Sequence, residues 1–409
     1  MAKAKATIGI DIGTHKIKVL GINRETSEAL FLEIRDSYGV QKGRIKEPSE
    51  VSQIIGEILE SIERKHNYPI ENVFVNINGT KLELIPSQAS ISVGRADQKV
   101  SEEDVERVKE EVKMINLQSG NKKILDVLPK DWILDNDTEA RNPVGMQGFK
   151  LELKAMLLSV FNADIESIIE ALEGIDITEE NIVPSPIADA DAILNPSQKE
   201  LGVALINIGA GTTSVSIYEE GKLLSMTVFP IGSGNITNDI AIGFKTEIEV
   251  AEKIKKQYGS CIKKKASKKI NFSLDDDEDD DEDDEPKKSK NILTFSEKDL
   301  IKIIEARVCE IFELANQEIK KLSKQGLLPA GIIITGGGAN LSGIVELAKN
   351  EFKLPAKIGY CKEIKGLDKD SSLSTVCGTL LSQADKKSFY TPENKFLKKI
   401  KKIINNFIP

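Results

Sequence analysis

Aromatic residues are scarce in this chain. They make up 5% of it, with a single tryptophan, which argues against the ring platforms that stack single-stranded nucleic acid; no nucleic-acid partner is expected. The four cysteines, Cys261, Cys309, Cys361 and Cys377, are scattered with no Cys-x-x-Cys pair. Neither a zinc framework nor a disulfide scaffold is indicated, and thiols in a reducing compartment are expected. Only two histidines occur, His15 and His66. They lie far apart, neither belongs to a Ser/Cys triad pattern, and both are expected at the solvent-exposed surface. Long apolar runs are missing too, since nothing approaches the roughly eighteen residues of a spanning helix. The opening MAKAKATIGIDIG holds too short and too interrupted an apolar stretch for a signal peptide. The chain is expected in the cytosol, though not necessarily free in it.

What is present suffices for two or three domains with proper cores: 409 residues, 40% hydrophobic and 30% charged. The formal net charge of −9 misleads, because residues 275–285 are eleven consecutive acids and setting them aside leaves +2. The chain carries an acidic insert, and its end is basic, with seven lysines against one glutamate in 386–409.

Residues 203–206 read as a short apolar strand. The turn Asn207-Ile208-Gly209-Ala210-Gly211-Thr212-Thr213 follows, and alternation resumes at Val215, Ile217 and Tyr218 as a returning strand. Glycines let backbone N–H groups face into a concave nest, and threonine hydroxyls add neutral donors, as a phosphate-holding turn requires. Read alone, an ordinary hairpin turn accounts for the stretch equally well. A second copy tips the balance. Ile10-Asp11-Ile12-Gly13-Thr14 repeats the order apolar, Asp or Asn, apolar, Gly, Thr, with Ile17, Val19 and Gly21 returning. A third strand follows each hairpin, at 29–34 and 222–229, and helices follow each of those. Two such α/β units facing each other would set both turns around one cleft.

Within the first unit, 48–66 reads as a helix and 72–78 as a buried strand. Residues 81–160 have a pattern of their own: a strand at 90–95, a helix opened by Ser101-Glu102-Glu103-Asp104 like a capping box, and strands at 124–136 and 149–161. An α+β subdomain fits that length. Residues 165–172 predict a helix, 181–183 a short strand, and 186–194 a helix whose alanines 188, 190 and 192 suit a close crossing between halves. Helices are expected at 247–258 and 296–322. Residues 260–291 hold a lysine cluster and then the acidic run, which cannot pack, so a disordered loop is expected; without turn glycines the acids give no defined calcium cage. Ile332-Ile333-Ile334-Thr335 then leads into Gly336-Gly337-Gly338, a strip almost without side chains on which a flat ring or ribose can lie. A sharp strand-to-helix turn would need one glycine rather than three.

Segments 8–14, 184–194, 205–213, 333–340 and 375–381 resemble, in order and spacing, the phosphate 1, connect 1, phosphate 2, adenosine and connect 2 signatures of the actin, Hsp70 and sugar-kinase superfamily. The insert, with Arg141-Asn142-Pro143-Val144-Gly145-Met146-Gln147-Gly148 ahead of its last strand, looks like the extra subdomain of the FtsA family of bacterial cell-division proteins, and the basic C-terminal helix strengthens that match. The resemblance covers nearly the whole chain apart from the acidic loop. It implies an α/β, actin-like two-domain fold of duplicated ribonuclease-H-like units with an α+β inserted subdomain. The first domain core would be 1–80, continued by 161–198 and 376–385, with the inserted subdomain at 81–160. The second would be 199–235, continued by 323–375, with an outer subdomain at 236–322 containing the loop 260–291. A linker at 386–394 and a membrane-targeting helix at 395–409 would complete the chain.

The resemblance also implies ATP with Mg²⁺ in the interdomain cleft, self-association into actin-like filaments, and attachment to the cytoplasmic face of the inner membrane at the division site. The FtsZ tail would dock on the outer part of the second domain, where the acidic loop would be irrelevant or repulsive to it, and other divisome proteins would use the inserted subdomain. Carried over by motif, Asp11 would orient the Mg²⁺ shell through water, with Gly13, Thr14 and Lys16 at the phosphates. Gly209, Gly211, Thr212 and Thr213 would cradle the β- and γ-phosphates. Glu252, Lys255 and Lys256 would approach the adenosine, with Gly336, Gly337 and Gly338 as the floor beneath it. Two alternatives share the superfamily. An FtsA-like pilus-assembly ATPase is disfavoured by the basic C-terminal helix, and a small-molecule kinase by the lack of a second acid and of a recognisable acceptor-site Asp.

The chain departs from the superfamily pattern at Asn207, where a second acid is expected, and at Ser214, where many relatives again have Asp. An amide adds no negative charge and takes no proton. Ser185 stands near the usual water-positioning place, and the facing of Asp189 and Asp191 is not readable from sequence. His15 adjoins the first turn, but strand alternation would point it away from the cleft. Asp11 and Asn207 are the candidates for positioning metal and water; nucleotide binding is expected and brisk hydrolysis is not.

The C-terminal stretch 395–409 reads KFLKKIKKIINNFIP. Phe396, Leu397, Ile400, Ile403, Ile404, Phe407 and Ile408 recur on one helical face, with Lys398, Lys399, Lys401 and Lys402 on the other. It is too short to span a bilayer but suited to lying among anionic headgroups, where each lysine adds roughly 1 kcal/mol. A helix docked on its own domain is the competing reading, and the polar linker with Pro392 speaks against it.

Overall fold

Each glycine hairpin seeds a sheet of its own. The computed structural model describes residues 6–385, apart from 67, 69, 71, 95–96, 117–120, 263–267, 274–291 and 323–327. β1 (Ala6–Ile12) is buried along its whole length, as befits a strand covered on both faces. It pairs antiparallel with β2 (Lys16–Asn23), which pairs with β3 (Ala29–Asp36). The small hairpin β4 (Val40–Gln41) and β5 (Arg44–Ile45) brings Gly43 to the first glycine turn, where its amide donates to Thr14 Oγ1 at 3.1 Å. α1 (Pro48–His66) buries Val51, Ile55, Ile58 and Ile62 at helical spacing, in one core with Ile8, Ile10 and Val75. It returns the chain to β6 (Val73–Ile77), parallel to β1.

The insert then builds a separate sheet from β7 (Glu83–Ser92), β8 (Lys122–Leu134), β9 (Thr138–Ala140) and β10 (Lys150–Phe161), in the order β7-β10-β8-β9, with α2 (Glu102–Asn116) between β7 and β8 in sequence. The capping box is present: the Asp104 amide donates to Ser101 Oγ at 3.2 Å, and the Ser101 amide to Asp104 Oδ2 at 3.0 Å. β7 starts at residue 83 rather than 90; Pro86 obscures it in the sequence and is tolerated because β7 is an edge strand. β10 buries every second residue from Leu151 to Leu157 beside Val105, Val108 and Val112 of α2. Its last third is buried on both faces, because Leu158 and Val160 enter the core of the first sheet.

α3 (Asn162–Ala171) leads to β11 (Ile182–Pro184), which completes the first sheet in the order β11-β6-β1-β2-β3. α4 (Ser185–Ile193) and α5 (Pro196–Leu201) connect to the second hairpin, β12 (Val203–Ile208) and β13 (Thr213–Glu219), followed by β14 (Lys222–Phe229). α6 (Ser233–Phe244), α7 (Ile248–Tyr258), the pair β15 (Lys269–Ser273) and β16 (Ile292–Ser296), and the long α8 (Glu297–Leu322) precede β17 (Ile332–Thr335). After α9 (Ile344–Phe352), β18 (Ala356–Ile358) closes the second sheet in the order β14-β13-β12-β17-β18. Both sheets thus have three antiparallel strands with two parallel ones added beside the first. α10 (Ser374–Asp385) returns to the first half, where Leu380 packs over Gly9 of β1. It crosses α4 with Gly378 against Ala188, and Ala192 shares a core with Val376 and Leu380. The close crossing is therefore with a helix of the first half rather than between halves. Only Ala190 of the three alanines turns to the second sheet, beside Val203 and Leu205.

The expectation of a wholly disordered loop at 260–291 is corrected. The Cys261 amide donates to the Ser342 carbonyl at 2.7 Å, and β15 pairs with β16. Ile270 and Phe272 alternate with polar neighbours, and Phe272 meets Tyr258 edge-on at 6.4 Å, so a short strand lies inside the low-complexity region. The acidic run 275–285, the linker 386–394 and the amphipathic stretch 395–409 lie outside the described residues. Among the described residues, no helix is long and apolar enough to cross a membrane.

Candidate functional site

The two glycine turns close in the same way. The Gly13 amide donates to the Lys16 carbonyl at 3.1 Å, and the Gly209 amide to the Thr212 carbonyl at 2.9 Å. Each bond pins the base of its turn, and the intervening amides are donors that an anion can take. The turns also touch: a Cβ built on Gly211 would lie 2.7 Å from Thr14 Oγ1. The second turn is held from behind by the start of α6, whose Ser233 and Gly234 amides donate to the carbonyls of Gly209 and Ala210 at 2.8 and 2.9 Å. The glycines at 232 and 234 make that helix start resemble a loop in the sequence, but side chains there would strike those carbonyls.

Between the turns lies a cleft of about 620 Å³. Its wall includes Asp11, Gly13, Thr14, Lys16, Gly209, Thr212, Glu252, Lys255, Lys256 and the three glycines 336–338, all singled out in the sequence. Gly211 and Thr213 are not on the wall. Gly211 is pressed against Thr14, and Thr213 is the buried first residue of β13 with its hydroxyl unpaired. Alternation instead brings Thr212 and Ser214 to the cleft. Thr212 Oγ1 accepts from Asn78 Nδ2 at 3.3 Å, a bond that joins the two halves across the cleft.

The floor of the first half is a buried polar network. Asp11 Oδ2 takes the Lys18 ammonium at 2.9 Å, and Oδ1 takes Asn76 Nδ2 at 2.9 Å. Asn76 Oδ1 in turn accepts from the Ile12 amide at 2.7 Å. Ser185 accepts from Asn76 and donates to the Ile77 carbonyl, so its proton is committed to the backbone. Lys18, Asn76 and Asn78 escaped the sequence reading because each is an ordinary polar residue in or beside a strand; only the alternation Lys16, Lys18 after the turn hinted that both face one way.

On the opposite side, Asn207 Nδ2 donates to Asp189 Oδ2 at 2.6 Å and lies 3.4 Å from Thr375 Oγ1. Asp189 is wholly buried, and burial pushes its carboxyl up to about 6, with the Asp11 charge adding and the bonds from Asn207 and Thr375 opposing. Asp191, on the same helix, is directed to Lys199 and Ser382.

The glycine strip is more constrained than its composition suggests. Gly336 has φ +85°, and its Cβ would fall 2.1 Å from Asn207 Oδ1; a Cβ on Gly338 would fall 2.5 Å from Ile208 Cγ2. Two of the three glycines are therefore required by packing on β12 alone, and Gly337 is the one with open space, its nearest neighbour being Ser372 Cβ at 4.0 Å. At the far wall Lys255 is tied to Glu252 at 2.6 Å and to Thr237 Oγ1 at 2.7 Å. Burial would raise the Glu252 carboxyl, but Lys255, Thr237 and Lys256 outweigh it and hold it below its ordinary value. His15 is exposed but stands at the cleft wall, not away from it; His66 is exposed and stacks on Phe31 at 5.4 Å.

Residues 204–378 match the family model described as cell division protein FtsA, and residues 79–159 that of the SHS2 domain inserted in FtsA. The cell division protein FtsA of Bacillus subtilis (strain 168) is 32% identical over 348 residues, covering 84% of this chain and 76% of its own. That of Pseudomonas aeruginosa is 28% identical over 391 residues, covering 94% and 90%. Among solved structures, a chain of the PilM–PilN type IV pilus biogenesis complex aligns with a TM-score of 0.62 at 15% identity, over 95% of this chain and all of that one. MreB5 of Spiroplasma citri bound to ADP aligns with a TM-score of 0.53 at 14% identity, over 94% and 97%. Identities this low speak for the fold alone, which is the actin-like two-domain fold with an inserted subdomain.

Proposed function

Since the chain belongs to the FtsA family of bacterial cell-division proteins, we propose that it is an ATP-binding, actin-like tether that holds FtsZ filaments to the inner face of the cytoplasmic membrane during septum assembly. The observation that carries the nucleotide part is the pair of identically closed glycine turns meeting at one cleft. The cleft's size suits a nucleotide. Gly13, Thr14, Gly209 and Thr212 would take the phosphates, and the open face of Gly337 would take the adenosine. The matching strand order of the two sheets supports reading the halves as duplicated ribonuclease-H-like units.

The donor set fits a Mg²⁺ that arrives with the phosphates. Among the described residues no group of three or more His, Cys, Asp or Glu could hold a metal ion, and Mg²⁺ keeps several waters with one or two carboxylates. Asp11 would hold its water shell, and the ion would neutralise phosphate charge. The chain's own contribution is positioning. Lys18 and Asn76 fix the Asp11 carboxylate, and Asn207 presents an amide where a base would be needed to activate water. The account is therefore of a protein that retains ATP and hydrolyses it slowly. We place membrane attachment in 395–409, FtsZ-tail docking in the outer part of the second domain, self-association in actin-like filaments and other divisome contacts in the inserted subdomain.

Flotation with vesicles tests the tether. Full chain is expected to carry FtsZ polymers up with phosphatidylglycerol-containing vesicles, and a chain lacking 395–409 is expected to leave them at the bottom. Equal flotation by the truncated chain would contradict the assignment.

A further inference from the structure

Asp189 is a carboxylate that nucleotide contact does not use. It is wholly buried on α4, behind the cleft wall rather than on it, at the point where α4, β12 and α10 meet. One oxygen takes Asn207 Nδ2 at 2.6 Å and the other takes the Thr375 hydroxyl at 2.7 Å. A carboxylate only accepts, so the amide of Asn207 must give its NH₂ side to Asp189. Its carbonyl oxygen is then turned the other way, against the backbone of Gly336, which has no Cβ to displace it. Gly336 and Asn207 both line the cleft. Oδ1 of Asn207 is thus the side-chain atom left on the Gly336 side of the amide, at the end of β12.

The two residue types are matched. An acid at 207 would set two carboxylates within hydrogen-bond distance, and such a pair cannot hold both charges. An amide at 189 would remove the charge that fixes which side of Asn207 faces the cleft. We propose that Asp189 is a positioning residue for the bound nucleotide: its buried carboxylate locks the Asn207 amide so that a neutral carbonyl oxygen, not an N–H, meets the hydrated metal ion on the phosphates. The proposal rests on the nucleotide reading above. It makes Asp189 and Asn207 one acidic function divided between two residues, with the charge kept behind the cleft and the acceptor at its surface.

The test is nucleotide affinity of full-length chain, measured calorimetrically with ATP, with and without Mg²⁺, for wild type, Asp189→Asn, Asn207→Asp and the reciprocal double variant. Unfolding by urea is followed for each. Wild type is expected to bind ATP with Mg²⁺. Asn207→Asp is expected to weaken binding about tenfold through the clash of carboxylates, and Asp189→Asn several-fold. The double variant restores one carboxylate and one amide with the charge now at the cleft surface. It is expected to recover the affinity lost by Asn207→Asp, and to depend on Mg²⁺ about tenfold more steeply than wild type. A purely structural pair would recover stability in the double variant without that change in Mg²⁺ dependence, and this outcome overturns the proposal. So do single variants that fold and bind like wild type. Wild type failing to bind ATP under any condition overturns the nucleotide reading itself, and the proposal with it.

Discussion

A Cβ on Gly378 would lie 1.8 Å from the carbonyl oxygen of Ala188. That contact is where α10 crosses α4, and both helices touch the cleft, through Thr375 and Ser185. Gly378→Ala is therefore expected to cost about 1–3 kcal/mol as the helices are pushed apart, and to weaken ATP binding as well. Gly56, exposed on α1 with nothing within 4 Å of its would-be Cβ, serves as the control: Gly56→Ala is expected to gain up to about 1 kcal/mol from helix propensity. Urea unfolding of both variants checks the pair, and a neutral Gly378→Ala would show that the crossing is slack.

Asp189 gives the chain a pH signature. Burial raises its carboxyl to about 6 from 3.8, and Asp11 and Tyr218 are titratable neighbours. A raised carboxyl binds its proton more tightly in the folded chain than in the unfolded one. Its contribution to stability is full below about pH 4 and is lost as pH rises through about 6, a change on the order of 3 kcal/mol. Other carboxylates titrate over the same range, so the difference between wild type and Asp189→Asn isolates this one. Unfolding free energies at pH 4.5 and 7 are expected to show the variant gaining on wild type as pH rises; a constant difference would contradict this.

Thr212 and Thr213 are neighbours with opposite facings. Thr212 lines the cleft and accepts from Asn78, while Thr213 lies off the wall. Thr212→Val is expected to weaken ATP binding about tenfold, and Thr213→Val to leave it within about twofold while keeping the fold, since its buried hydroxyl is unpaired. Equal losses would mean that the turn is arranged differently when nucleotide is bound.

The fold was legible wherever one period ruled. Helix 48–66 and strand 222–229 coincide with α1 and β14, because apolar spacing of 3.6 runs from Val51 to Ile62 in the one and an apolar-rich run of eight residues marks the other. In the sequence β7 is cut short by Pro86. α6, which falls where helices are expected after strand 222–229, has no legible start, because Gly232 and Gly234 look like punctuation when they are close-packing contacts with the second turn. The phosphate-turn residues were legible because glycine and threonine mark them. Asn78, Lys18 and the partnership of Asn207 with Asp189 were not, since they depend on which strands lie side by side. Ser185 stood out for its place in the pattern, yet only the structure shows its hydroxyl spent on Ile77.

The most direct measurement is a single-turnover experiment with full-length chain, labelled ATP and Mg²⁺. About one ATP is expected to bind per chain and to stay intact for far longer than the roughly second-scale turnover of a slow kinase. No binding, or release of ADP at about 1 s⁻¹ or faster, would contradict a cleft built to retain its nucleotide.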